Sequence, residues 1–230
     1  MTARIAYVAS GCLAIAIALC PPFDALADAS FAWHMVQHLV LLLVAPPLLL
    51  LGAPLSLLLS ALPPRAGRAW VRIWQSPPLH LLAHPAVAWI VFVATIWISH
   101  LSPLYQASLD HEWIHILEHG LYLGAGLTFW MPVVQAGFVP QPVAFPARLF
   151  YLFLALPQGA FLAVVLLQER APLYPHYAAL LGPAAALADQ RNGAAVMWIA
   201  GGLAMFAALL IVAAVWAGRE HDPQLGTSVV

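Results

Sequence analysis

Ten histidines stand in a chain of 230 residues that carries only eight basic and nine acidic side chains. Two groups repeat at intervals of four: His34 with His38, and His111 with His115 and His119. On a helix that interval sets side chains about 40° apart and one turn apart in depth, so such a pair can hold one metal ion between its rings. Glu118 falls on the same stripe as His111 and His115, with His119 flanking it. A carboxylate there either receives a ring N–H and fixes the tautomer of a ligating histidine, or ligates itself. Imidazole suits zinc, copper, iron and nickel, and a thioether beside imidazole leans towards copper. Met35 is next to His34, but a step of about 100° takes it off the His34/His38 face. Spacing alone therefore points to an imidazole-rich metal or haem site and leaves the ion open.

The elements that must position these residues are apolar helices. The chain is 63% hydrophobic and 7% charged, where a soluble domain carries roughly 25% charged residues. An ordinary water-soluble globule is excluded. With no lysine and a formal net charge of -1, there is no basic surface for nucleic acid. Cys12 and Cys20 are roughly 12 Å apart along a helix, too far for a disulfide, and no C-x-x-C motif offers paired thiolates. Six segments, at 5–20, 34–60, 84–101, 113–135, 147–168 and 193–217, are candidates for spanning a bilayer, which takes about 20 mostly apolar residues. The expected fold is all-α, a polytopic transmembrane bundle of about six helices in a single domain over residues 1–230. The number becomes five if residues 1–27, which end in the A-x-A pattern Ala25-Leu26-Ala27, are a cleaved signal peptide.

Arginine placement gives an orientation. With the N-terminus in the cytoplasm, Arg4, Arg65, Arg68, Arg72, Arg148 and Arg219 lie inside, and Arg170 and Arg191 outside. That favours N-in, C-in, with residues 218–230 as a cytoplasmic, disordered tail. Six histidines (His34, His38, His100, His111, His115 and His119) then fall at the outer ends of three consecutive helices. His176 and Asp189 fall in an outer loop, 169–192, while His80, His84 and His221 belong to the inner side. Six histidines converging on one end argue for a shared metal or haem site. Residues 65–75 read as an amphipathic helix lying in the interface, an anchor to anionic lipid. Pro46, Pro47 and Pro54 should kink the second segment and free backbone carbonyls within it. Gly120 and Gly124 make a small-x-x-x-small face suited to close helix packing.

The 34–55 run HMVQHLVLLLVAPPLLLLGAPL resembles the signature of the CtaG family, membrane assembly factors for bacterial cytochrome c oxidase of the caa type. The likeness continues at Trp97, His100 and Ser102-Pro103-Leu104-Tyr105, at His115-x-x-Glu118-His119 and Phe129-Trp130, at Leu173-Tyr174-Pro175-x-Tyr177, and at Asp189-Gln190-x-x-Gly193 leading to Met197-Trp198. It covers roughly residues 30–217. The resemblance implies a non-enzymatic protein of the bacterial inner membrane that binds copper on its outer (periplasmic) face and helps to mature the metal centre of an oxidase subunit in the same membrane. It also implies that His34, His38, His100, His115, Glu118 and His119 form the site. His111 is an extra outside the pattern, and Asp189 is either a further ligand or a helix N-terminal residue. Other classes remain open: a haem b carrier with axial His38 and His119, a membrane iron oxygenase, and a transporter. The oxygenase lacks the usual H-x-x-H-H motif, and the transporter has only Glu118 as a deep carboxylate.

Overall fold

The computed structural model describes residues 2–53, 56, 62–74, 76–136 and 142–221, and all regular structure among them is helical. In chain order the elements are α1 (Thr2–Leu19), α2 (Phe23–Ala29), α3 (Phe31–Leu51), α4 (Pro64–Trp74), α5 (Pro77–Leu82) and α6 (Pro85–Leu101). They continue with α7 (Pro103–Asp110), α8 (Glu112–Val134), α9 (Phe145–Gln168), α10 (Pro175–Leu181) and α11 (Pro183–His221). The protein is a multi-pass helical membrane bundle.

By length and apolarity, four helices can span a bilayer: α1, α3, α9 and α11, and a fifth if α6 and α7, bent by 71°, count as one broken span. This is fewer than the six segments expected. The difference lies in α8, which is long enough at 23 residues but carries Glu112, Glu118 and two histidines along its first half. Residues 169–192 are not a loop either. They hold α10 and the first part of α11, so Asp189 and Arg191 are helical. The last helix is correspondingly longer than segment 193–217, reaching 39 residues. The stretch expected to lie in the interface forms a helix, α4, with Trp70 and Ile73 exposed. Cys12 and Cys20 are unpaired thiols. Pro54, residues 57–60 of the second segment, Gln75 and tail residues 222–230 lie outside the described residues.

Helix α3 is the axis of the bundle. Half of its membrane-length window is buried, against 11% for α1, because α1, α2, α8 and the first half of α11 all pack on it. Ser30 caps its N-terminus, accepting from Trp33 N at 3.4 Å. The Asp189 carboxylate completes that cap from α11, accepting from Ser30 Oγ at 2.8 Å and from Phe31 N at 2.6 Å. A negative group at the first turn meets both the unpaired N–H groups and the positive end of the helix dipole. Gly193, one turn beyond Asp189, is needed there: a Cβ would come within 2.3 Å of the Phe31 ring.

Midway along α3 the helix widens into a π-turn at Val40–Val44, followed by Pro46 and Pro47. Pro46 has no N–H to give to the Leu42 carbonyl. The Trp130 indole on α8 supplies the missing donor, Nε1 to Leu42 O at 3.0 Å. The two helices meet closely at the same level, because a Cβ on Gly126 would lie 2.7 Å from Leu42 O and 2.6 Å from Pro46 Cγ. Gly126 is thus the close-packing glycine of α8. Gly120 and Gly124, expected in that role, have no neighbouring atoms within 4 Å of a built Cβ.

Replacing Trp130 by Phe leaves the Leu42 carbonyl buried without a donor, at a cost of about 1–3 kcal/mol. Thermal unfolding in detergent should show a clear drop for Trp130→Phe and almost none for Trp113→Phe on the exposed face of α8; equal drops would contradict the pairing.

Candidate metal centre

The first two turns of α3 present His34 and His38 to one side, and both are buried. Their Nε2 atoms are 3.0 Å apart. From α8, His119 brings a third imidazole, and one ring nitrogen from each of the three lies within 4.8 Å of the others. Metal–nitrogen bonds of about 2.0–2.1 Å in tetrahedral geometry place ligand nitrogens about 3.3 Å apart, so these positions suit one ion. His115 adds a fourth ring beside them, its centroid 4.1 Å from that of His119 and 5.0 Å from that of His34. Its Nε2 is buried without a hydrogen-bond partner.

An imidazole ligates through the nitrogen that lacks a hydrogen, so the outer partner of each ring decides whether it can bind. For His34 that partner is Tyr177. The Tyr177 hydroxyl donates to Ala27 O at 3.1 Å, so its oxygen accepts from His34 Nδ1–H at 3.2 Å. His34 Nε2 is left with its electron pair facing His38. Burial pushes the Tyr177 phenol above its ordinary value, so it stays a donor.

For His119 the partner is Gln37. The amide nitrogen of Gln37 donates to Ala18 O at 2.9 Å and to Asp24 Oδ1 at 3.1 Å, both pure acceptors. Its oxygen therefore faces His119 Nε2 at 3.1 Å and accepts from it. His119 Nδ1 keeps its electron pair. For His38, the 3.0 Å contact makes Nε2–H the donor to His34; for an ion to bind at Nε2 that hydrogen must move to His38 Nδ1, which is buried without a hydrogen-bond partner. The His38 ring is held flat against Tyr122, with centroids 3.8 Å apart and planes 22° from parallel.

The remaining candidates fall in different places. His100 is buried at the end of α6, with its ring 6.4 Å from that of His38. Its Nε2 meets Met35 Sδ at 3.1 Å. Met35 is indeed off the His34/His38 face, and it turns to His100. Glu118 is buried, but neither oxygen accepts a hydrogen bond. Ser108 lies beside it and donates instead to Tyr105 O. The expected role of Glu118, orienting a ring N–H, belongs to Gln37 and Tyr177. His111 is exposed at the N-terminus of α8. His176 packs edge-on against Tyr177. Both oxygens of Asp189 are engaged at the N-terminus of α3. His80 is on α5, and His84 caps α6 through Nδ1.

Comparison with known proteins adds the following. The family model described as cytochrome c oxidase caa3 assembly factor (Caa3_CtaG) matches residues 1–219, beginning well before residue 30. Uncharacterized proteins of Mycobacterium bovis and Mycobacterium tuberculosis are each 26% identical over 222 residues, and one of Mycobacterium leprae is 27% identical over 224. Each alignment covers 92% of this chain and 34% of the relative. The chain thus spans about a third of the length of the curated relatives it matches. No solved structure matches.

Removing an outer partner should weaken metal binding without removing a ligand. Tyr177→Phe and Gln37→Leu should each lower Zn(II) or Cu(II) affinity by roughly 10–100-fold in equilibrium titrations of purified protein. Tyr7→Phe, on exposed α1, should leave it unchanged.

Proposed function

The chain belongs to the cytochrome c oxidase caa3 assembly factor family, and from that membership we propose that it carries copper as cargo and hands it to an oxidase subunit in the same bilayer. The observation that carries this reading is the arrangement of His34, His38 and His119, whose ring nitrogens lie together. Tyr177 leaves the Nε2 electron pair of His34 facing His38, and Gln37 takes the Nε2 hydrogen of His119 so that its Nδ1 carries the electron pair. A set of neutral imidazoles without thiolates suits copper, though not copper alone, and leaves it labile enough to be handed on. In this reading the protein is not an enzyme, since transfer of an ion makes and breaks only metal–ligand contacts.

Access fits the same reading. A cavity of about 360 Å³ opens on His119 and His115, and Asp24 and Glu112 line it with them. Two carboxylates at the mouth attract a cation before the imidazoles bind it. The arginine distribution favours the periplasmic side of a bacterial inner membrane for this mouth, and both termini lie inside if α8 crosses the bilayer along with the other five spans. Residues 1–27 remain part of the protein in this account, because Ala18 O and Asp24 hold Gln37 in place. Haem is a poorer occupant. A macrocycle between His38 and His119 would have to pass through the His34 ring, whose Nε2 is 3.0 Å from that of His38.

Purified protein with His38, His115 and His119 all changed to alanine should lose its copper by elemental analysis, and undiminished stoichiometry would overturn the proposal. In cells, deletion should lower oxidase activity under copper limitation and added copper should restore it. Normal activity in copper-limited medium would count against the assembly role, and a Soret band in the purified protein would favour haem.

A further inference from the structure

Beyond the three imidazoles, a second pair of metal-ligating atoms lies buried in the bundle. His100 Nδ1 is 2.8 Å from the Ile96 carbonyl oxygen. That oxygen only accepts, so Nδ1 carries the hydrogen and Nε2 bears the electron pair. The Ser99 hydroxyl, 3.1 Å from the same Nδ1, donates to Ile96 O as well, at 3.2 Å, and the Tyr122 hydroxyl is 2.6 Å from it. Tyr122 Oη itself is 3.3 Å from Nδ1.

The Nε2 electron pair faces Met35 Sδ at 3.1 Å. A thioether has no hydrogen to give. Two electron-pair donors thus confront each other at contact distance, with Met35 1% and His100 3% exposed. Nothing is gained from that arrangement unless a cation lies between them. A second hydrogen on His100 would leave a charged ring beside a cavity whose lining includes no acid, a costly placement.

The cavity next to the pair is narrow, about 50 Å³, and is lined by Met35, His38, His100, Met197 and Met205 among apolar side chains. It has room for an ion and a water, and none for a macrocycle. Three of the five methionines of the chain converge there. Met197 opens a π-turn in α11, a local widening often found at functional positions.

We propose that Met35 Sδ and His100 Nε2 form a second metal site, specific for Cu(I), in which Met197 and Met205 supply further thioether contacts. Thioether and imidazole donors without carboxylate select a soft monovalent ion over Zn(II). Bonds of about 2.0 Å to nitrogen and about 2.3 Å to sulfur, as for zinc, need the two atoms about 3.5 Å apart at a tetrahedral angle. The pair must therefore open by a few tenths of an ångström, which the flexible Met35 side chain allows. His38 borders both sites, through Nε2 on the imidazole side and as part of the cavity wall. Its ring is the point at which Cu(I) held by the imidazoles passes to the thioether site, with no change of oxidation state. This deepens the copper-handling reading and rests on it.

The test uses full-length protein labelled with selenomethionine, purified in detergent and loaded anaerobically with Cu(I). Copper X-ray absorption should show a Cu–Se path in the wild type. Met35→Leu, close to volume-conserving, should lose that path together with one bound Cu(I) equivalent while its Zn(II) titration stays unchanged, which also reports that it is folded. His119→Ala should do the reverse, losing Zn(II) binding and keeping the Cu–Se path. No Cu–Se path in the wild type, or an undiminished one in Met35→Leu, would overturn the second site. Zn(II) binding that survives His119→Ala would overturn the imidazole site and leave the thioether site standing.

Discussion

A neutral imidazole has one nitrogen with a hydrogen and one with an electron pair, and only the second can bind a metal. The whole arrangement depends on that asymmetry. His34 is shut off from bulk water and His119 is half-buried against a cavity, and at both the protein chooses the tautomer. Tyr177 does so for His34 and Gln37 for His119. Each of these is fixed in turn by a backbone carbonyl elsewhere in the chain, Ala27 for the tyrosine and Ala18 for the glutamine. The orientation of the rings is therefore inherited from α1, α2 and α10, elements that contribute no ligand of the three-imidazole cluster.

Those distant contacts hold only if α3 is fixed in rotation and depth, and two defects in its backbone pairing provide this. At its N-terminus the unpaired N–H groups are met by Ser30 and by Asp189 of α11. At Pro46 the carbonyl freed on Leu42 is met by Trp130 of α8. In an apolar surrounding an unmet backbone group is expensive, so each defect acts as a specific point of attachment. Both neighbours are drawn close by glycines, Gly193 and Gly126, that no side chain could replace without displacing α3. The Trp130 attachment then sets how far along α3 the His119 turn of α8 lies.

Much of this was legible in the residues. The i, i+4 histidines announced His34, His38, His115 and His119, though the same spacing offered His111, which is exposed, and the apolar segments announced a helical bundle. Pro46 announced a freed carbonyl, though not its partner. What stayed hidden has a common cause. Gln37 sits between two histidines and looks like filler, since its importance comes from Ala18, Asp24 and His119 in three other elements. Glu118 looked like an orienting group or a ligand because it shares the stripe of His115, yet a helical stripe is wide, and in the structure neither carboxylate oxygen accepts a ring N–H while Ser108 lies beside them. Met35 is the weaker candidate in the sequence because it lies off the His34 face, and that same displacement brings it to His100. Asp189 was read as lying in a loop because polar residues interrupt the apolar run, whereas α11 extends through them. Gly120 and Gly124 show the limit of spacing rules, since the close contact falls at Gly126 instead.

The central claim is that the three buried imidazoles of His34, His38 and His119 bind one ion together. Pulsed electron paramagnetic resonance of Cu(II)-loaded protein reads it directly, because the uncoordinated nitrogen of each equatorial imidazole modulates the echo. The account predicts modulation from three imidazoles, falling by one when His119 is replaced by alanine. Modulation from a single imidazole, or a spectrum that His119→Ala leaves unchanged, would contradict it.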